Sequence, residues 1–234
     1  MVKKICNNFH FNILALQETK LEDNSKQCVK QICGFLSASF LASNAVGMAG
    51  GQLLIWNDAF LAEVHSQIGR FFILANLAHL CYNKICTFIN IYGPPNRANR
   101  PAFFQELKIL FSSIEGSVFI TGDFNVTRGL HERRNCTENS IDSSCFSQIF
   151  AYSNLIDLPI AGLEFTWSNN QTPPSLAKLD HCLISKDASS LFPLVTALGG
   201  ERILSDHNAK QIYIHTTSFY LRTFWFKRQN FRHI

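Results

Sequence analysis

The chain has 234 residues, 47% of them hydrophobic and 12% aromatic, with 21 Lys and Arg against 17 Asp and Glu. That length and composition can bury one large core or two small ones, which points to a globular protein. No apolar stretch approaches the roughly 20 residues of a membrane helix, and the basic N-terminal stretch is broken by Asn7, Asn8, His10 and Asn12, so neither a membrane span nor secretion is expected. The three glycosylation sequons at Asn125, Asn135 and Asn170 then read as chance. The eight cysteines, at 6, 28, 33, 81, 86, 136, 145 and 182, show no Cys-x-x-Cys pair and no zinc-type grouping, which fits reduced thiols in an intracellular protein. Charge is uneven: Lys210, Arg222, Lys227, Arg228 and Arg232 lie beyond His207 with no acid among them, which favours an anionic partner at that end.

In chain order, strands are expected at Phe11–Leu16, Gln52–Trp56, Leu61–Gln67, Phe71–His79, Ile85–Tyr92 and Ser117–Phe124, several of them rich in β-branched or aromatic residues. Helical spacing appears over Ala102–Ile114, where Phe103, Leu107, Leu110 and Phe111 share a face, and again over Ser143–Tyr152. Strands resume near Phe165–Ser168, Lys178–Ser185 and Lys210–His215. Strands in succession with occasional helices suggest an α/β fold of packed sheets flanked by helices. With no internal repeat or low-complexity linker, the chain reads as one domain over 1–215 and a basic, aromatic tail or linker over 216–234.

Polar residues that could carry chemistry recur where these elements end. In TGDFNVTR, Asp123 and Asn125 follow an apolar run, two positions apart, and an extended chain would turn them to the same face. Glu18 follows an apolar strand in NILALQETK, and Tyr92 precedes Gly93-Pro94-Pro95 in FINIYGPPNR. Asp180 sits inside the apolar run KLDHCLIS, where a carboxylate needs a partner to offset its desolvation, and Asp206-His207 ends ILSDHNA. Each has an ordinary structural explanation, such as a turn former or a packed aromatic. Together they supply carboxylates for a metal, a histidine with an acid partner, and an amide, the set that phosphodiester hydrolysis would use.

Taken in order, Gln-Glu-Thr-Lys, Asn-x-Tyr-Gly-Pro, Gly-Asp-Phe-Asn, Leu-Asp and Ser-Asp-His resemble the endonuclease/exonuclease/phosphatase superfamily over about residues 11 to 215. Within it the pattern is most similar to the apurinic/apyrimidinic-endonuclease-like domain of non-LTR retrotransposons, and GGQLLIWN, NLIDLPIAGLEFTWSNN and LDHCLIS look typical of the plant branch. The resemblance implies a DNase I-like fold: two packed mixed β-sheets flanked by helices, a four-layer α/β sandwich. It also implies Mg²⁺, with Mn²⁺ as an alternative, and DNA as the partner. Glu18 would be the principal metal ligand and Asp206 would assist. Asp123 would align or deprotonate the attacking water, with Asn125 holding that water. His207, oriented by Asp180, would contact the scissile phosphate, and Tyr92 would donate to a phosphate oxygen.

The sequence departs from the family pattern in two places. The family begins with an Asn-bearing strand some thirty residues before Gln-Glu-Thr-Lys, whereas seventeen residues precede Glu18 here, so the fold is expected to lack that first strand and to leave a sheet neighbour unpaired. Asn-Ala also follows the Ser-Asp-His motif in place of the family's Cys-Pro. The leading expectation is a Mg²⁺-dependent, DNA-nicking retroelement-type endonuclease working in the nucleus. Two other readings stand beside it: an inactive fragment that at most binds nucleic acid, and a phosphomonoesterase or lipid phosphatase of the same superfamily.

Overall fold

Ile13–Gln17 (β1) is apolar at four successive positions and buried on both faces, so it forms an interior strand rather than an amphipathic one. The computed structural model describes residues 11–20, 29, 32, 37–46, 49–137, 140–202, 205–215 and 220–227, with backbone alone at 45, 46, 49, 215 and 220–227. After β1 come Ala38–Val46 (β2), Ala49–Asn57 (β3), Leu61–Ile68 (β4), Phe72–His79 (β5), Ile85–Tyr92 (β6), helix Arg100–Ser112 (α1) and Val118–Asp123 (β7). Arg133–Arg134 (β8), helix Ser140–Tyr152 (α2), Ile156–Asp157 (β9), Ile160–Ala161 (β10), Trp167–Ser168 (β11) and Leu176–Ala177 (β12) follow. Asp180–Ile184 (β13), helix Lys186–Leu191 (α3), Thr196–Gly199 (β14), Lys210–His215 (β15) and Tyr220–Lys227 (β16) complete the described elements.

The strands form a seven-stranded sheet in the order β10-β14-β15-β16-β1-β3-β2, a six-stranded sheet in the order β4-β5-β6-β7-β13-β9, and a small sheet of β11, β12 and β8. The period of two along each strand divides the core into three apolar layers. Ile13, Ala15, Leu54, Trp56 and Ile212 of the larger sheet face Ile73, Phe88, Phe119 and Ile184 of the other. On the far side of the six-stranded sheet, Ile89, Ile91, Ile120 and Leu183 meet Phe103, Leu107 and Phe111 of α1 and Phe146 and Ile149 of α2. Leu14, Leu16, Leu53 and Ile55 fill a third layer on the outer face of the seven-stranded sheet. Each such side chain, once fully buried, contributes about 1.5–3 kcal/mol. The fold is thus an α/β sandwich of the expected DNase I-like kind, two packed sheets with helices outside them.

Two expectations are corrected. The segment read as a tail supplies β16, which lies inside the larger sheet, parallel to β1 from Ile13↔Thr223 to Gln17↔Lys227 and antiparallel to β15 from Lys210↔Trp225 to His215↔Tyr220. Its basic residues point to solvent or an anion when composition alone is weighed, yet a strand slot flanked by β1 and β15 satisfies its backbone. Consequently β1 has no vacant edge, since β3 pairs with its other side. The sheet is closed at the place where a missing neighbour was expected. Strands β2 and β14 and helix α3 add to the elements legible in sequence. The rest of 216–234 lies outside the described residues, as do Asn7 and Asn8.

Candidate active site

Register alone brings three of the candidate side chains abreast. Tyr92 at the end of parallel strand β6 pairs with Asp123 at the end of β7, and Asp123 pairs with Asp180 at the start of antiparallel β13. Along each strand the face between the sheets runs from apolar to polar: Phe88 to Asn90 to Tyr92, Phe119 to Thr121 to Asp123, and Ile184 to Cys182 to Asp180. The opposing sheet follows the same gradient, from Ile13 and Ala15 to Gln17, and from Ile214 and Ile212 to Lys210. The inter-sheet layer therefore ends in a polar floor. Gln17 and Asn90 rivet the sheets there: Gln17 Nε2 donates to Asn90 Oδ1 (2.6 Å) and Ile91 O (2.8 Å), and Asn90 Nδ2 donates to Leu16 O (3.0 Å).

Above that rivet, Glu18 leaves β1 with a left-handed backbone, φ 49°, a conformation uncommon for a side chain of its kind and concentrated at functional sites. Its neighbours Thr19 and Lys20 donate backbone hydrogen bonds to Gly51 O and Gly50 O, which fixes the turn. Glu18 Oε1 accepts from the Tyr92 hydroxyl at 2.6 Å. Burial, followed by the charges of Glu18, Asp123 and Asp206, holds the Tyr92 phenol well above its ordinary pKa, so it stays a donor. Tyr92 thus joins Glu18, by a hydrogen bond, to Asp123, by strand register, and Asp123 stands 3.8 Å from His207, the neighbour of Asp206 in the chain.

Asp123 and Asn125 also meet, but by another route than the expected strand alternation. β7 stops at Asp123, and Asn125 adopts φ 54° in a tight turn in which its backbone N donates to Asp123 Oδ1 (2.8 Å) and its Nδ2 to Asp123 Oδ2 (3.1 Å). Asn125 Nδ2 also donates to Gly93 O at 2.8 Å, and its carbonyl accepts from Arg100 Nη2 at 2.8 Å. Both amide hydrogens are thus committed to protein acceptors. The turn packs so closely that a Cβ on Gly93 would stand 2.1 Å from Phe124 O, which requires glycine there.

His207 is almost fully buried between two acids. Its Nδ1 lies 2.8 Å from Asp180 Oδ2, and its Nε2 lies 3.8 Å from Asp123 Oδ2. The second Asp180 oxygen faces Lys210 Nζ at 2.5 Å, and that lysine is 1% exposed. Burial works to raise the Asp180 pKa, but Lys210 and His207 outweigh it and hold the carboxyl well below the usual range. Asp206 accepts from Trp167 Nε1 through Oδ2 at 2.9 Å, while its buried Oδ1 has no hydrogen-bond partner among the described residues.

All seven sequence-derived candidates, Glu18, Tyr92, Asp123, Asn125, Asp180, Asp206 and His207, therefore converge at one end of the inter-sheet layer. Lys210, Trp167, Arg100 and the Gln17–Asn90 rivet were not singled out. Lys210 alone carried a signal, since the alternation Lys210, Ile212, Ile214 turns it inward with the two isoleucines. A second buried group, Glu132, Asp157 and His181, lies on the helix side of β13. Arg128 and Lys178 already neutralise its acids, at 2.7 Å from Glu132 and at 2.9 and 2.8 Å from Asp157. It braces the loop that follows Asn125.

The donor set suits a hard cation. Glu18 and Asp206 offer carboxylate oxygens, and Asp206 Oδ1 is a buried acceptor awaiting a partner, a situation that an ion explains. Asp123, Asp180 and His207 also bring ligand atoms within 4.8 Å of one another. Asp180, however, already places one oxygen on His207 and the other on Lys210, so a cation at that trio would compete with at least one of these contacts.

The sequence profile of the Endonuclease/Exonuclease/phosphatase family matches residues 1–207. No curated protein sequence matches significantly. Among solved structures, the fold is similar to the AP endonuclease LMAP from Leishmania major, with a TM-score of 0.68 at 14% identity over 92% of this chain and 81% of that one. The endonuclease domain of TRAS1, a telomere-specific non-LTR retrotransposon, gives 0.64 at 12% identity over 88% of this chain and 100% of that one. A mannosyl-6-phosphatase from Bacteroides thetaiotaomicron gives 0.59 at 14% identity over 92% and 89%. At these identities the likeness is one of fold.

Proposed function

The chain is a member of the endonuclease/exonuclease/phosphatase family, a family of hydrolases, and from that premise we propose that it hydrolyses phosphodiesters with Mg²⁺ and nicks DNA as a retroelement-type endonuclease domain. The observation that carries this reading is the chain of contacts from Glu18 through Tyr92 and Asp123 to the Asp180–His207 pair, with Asp206 next to His207 in the chain. Two of the similar structures are nucleases by their names, which supports DNA as the substrate class. We further infer that it works in the nucleus, the place expected of a retroelement-type nuclease.

Glu18 and Asp206 would hold the cation, which when bound neutralises charge on phosphate oxygens. Mn²⁺, with the same preference for oxygen ligands, would serve in its place. The chain's own groups supply the rest. Asp123 accepts a proton from the attacking water, whose oxygen bonds to phosphorus as the P–O bond to one sugar oxygen breaks, and the sugar oxygen leaves and takes up a proton from solvent. Asn125 serves Asp123 by fixing both carboxylate oxygens, a role that replaces the expected direct hold on water. His207 presents Nε2 to the phosphate while Asp180 fixes its Nδ1 side. Tyr92, kept protonated, exchanges its bond to Glu18 for one to a phosphate oxygen.

A nicking assay on supercoiled plasmid, run beside phosphate release from a sugar phosphate and an inositol phosphate, tests this reading. Relaxed circles with Mg²⁺ and no phosphate release are expected. Phosphate release without nicking would favour the phosphomonoesterase reading. The pairing of β16 with β1 supports a complete sheet and so speaks against the inactive-fragment reading, which absence of nicking in this assay would favour.

A further inference from the structure

We propose that Trp167 is a positioning residue for the metal site, setting which oxygen of Asp206 is offered to the cation. The inference rests on the Mg²⁺-dependent reading above and assigns a role to the FTWS stretch, which that reading does not use.

The stretch 166–168 grips the Asp206 segment through three hydrogen bonds, two of them making up one backbone bridge. Ser168 N donates to Asp206 O (3.0 Å) and Asn208 N donates to Thr166 O (2.9 Å), and the two bonds bridge Trp167 to His207. The third is the side-chain bond from Trp167 Nε1 to Asp206 Oδ2 at 2.9 Å. The same stretch holds the neighbouring acid, because the fully buried Thr166 hydroxyl accepts from Leu179 N (3.0 Å) and Asp180 N (3.1 Å). One short strand therefore sets Asp180, Asp206 and His207 relative to one another.

The consequence for Asp206 is chemical. A carboxylate can rotate and share its oxygens among partners, and a single indole N–H that captures Oδ2 stops that rotation. Oδ1 is then left buried without a hydrogen-bond partner among the described residues. A buried acceptor left so is costly unless something takes it, and a hard cation is a partner that a carboxylate oxygen suits. Groups that orient a metal ligand without touching the metal typically account for 10- to 100-fold in affinity.

The test is isothermal titration of the metal-free protein with Mn²⁺. Trp167→Phe keeps the ring's packing and removes the donor; replacement of Trp167 by benzothienylalanine, which puts sulfur where the N–H was, repeats the change at nearly constant shape. Both variants are expected to bind Mn²⁺ about tenfold more weakly, with the metal-free far-UV circular dichroism of the benzothienyl protein unchanged. In an Asp206→Asn background, neither change should weaken binding further. Unaltered affinity in both variants overturns the assignment while leaving the metal reading intact. So does an equal loss with and without the Asp206 carboxylate. Absence of Mn²⁺ binding in the parent protein, or binding that survives Glu18→Gln at parental affinity, overturns the metal reading itself.

Discussion

Lys210 Nζ stands 2.5 Å from Asp180 Oδ1, so the acid that orients His207 is shared with a buried ammonium. The three groups lie at the polar end of the inter-sheet layer and are each no more than 1% exposed. Removing one member strands the charge of another.

Removal of either partner is therefore expected to cost stability, about 3–5 kcal/mol for a broken buried pair. Asp180→Asn leaves the ammonium of Lys210 without its counter-charge, and adding Lys210→Met should recover part of that loss. Chemical denaturation of the two single variants and the double variant measures this. A double variant less stable than Asp180→Asn alone would show that Lys210 is held by something other than Asp180.

Activity should show a parallel coupling on the other oxygen. Asp180→Asn and His207→Ala are expected to be strongly non-additive in nicking rate, because the acid acts through the histidine. Rates that simply multiply would mean that the 2.8 Å contact has no catalytic consequence.

The depressed carboxyls predict the response to acid. Asp157, which burial alone would push up but His181 and Lys178 pull down, and Asp180 both sit below the ordinary value of 3.8 in the folded protein. The unfolded chain consequently takes up these protons first on acidification. Their stabilisation is complete above about pH 4 and is lost as pH falls toward the folded values. Unfolding free energy measured from pH 7 downward should fall below about pH 4, less steeply in Asp157→Asn. A profile flat to pH 2 would contradict the two ion-pair networks.

β16 leads to a stability prediction at the sheet. Thr223 pairs with Ile13 on one side and Ile212 on the other, so Thr223→Pro removes a ladder donor from an interior strand. A loss of about 1–3 kcal/mol is expected, and a chain ended at residue 215 should lose more. Conversely, a further strand fused ahead of β1 should not raise the denaturation midpoint, since both edges of β1 are paired. A midpoint indifferent to Thr223→Pro would show that β16 does not hold its slot in solution.

Much of this was legible because burial and alternation are local. β1, β6, β7 and β13 announce themselves as apolar runs, and their ends carry Glu18, Tyr92, Asp123 and Asp180. What was not legible depends on contacts between distant segments. Trp167 meets Asp206 across 39 positions, and no spacing rule connects an indole to a carboxylate that far away. Asn125 was read from strand periodicity, whereas its left-handed backbone makes a turn that brings it to Asp123 from the side. β16 was obscured by its charge, because composition reports solvation and is silent on an available strand edge. β2 was hidden for the opposite reason, as its Ala- and Ser-rich sequence is half-buried without apolar alternation.

The most direct test of the central claim is plasmid nicking by the parent protein and Glu18→Gln, each with Mg²⁺ and with chelator. That one cation is held by Glu18 and Asp206 is a proposal resting on the turn at Glu18, its bond from Tyr92 and the Asp206 oxygen without a hydrogen-bond partner among the described residues. The account predicts that the parent relaxes supercoiled DNA with Mg²⁺, stops with chelator, and loses at least about 100-fold on Glu18→Gln while keeping its fold by circular dichroism. Nicking by Glu18→Gln at the parental rate, or parental nicking undiminished by chelator, would contradict it.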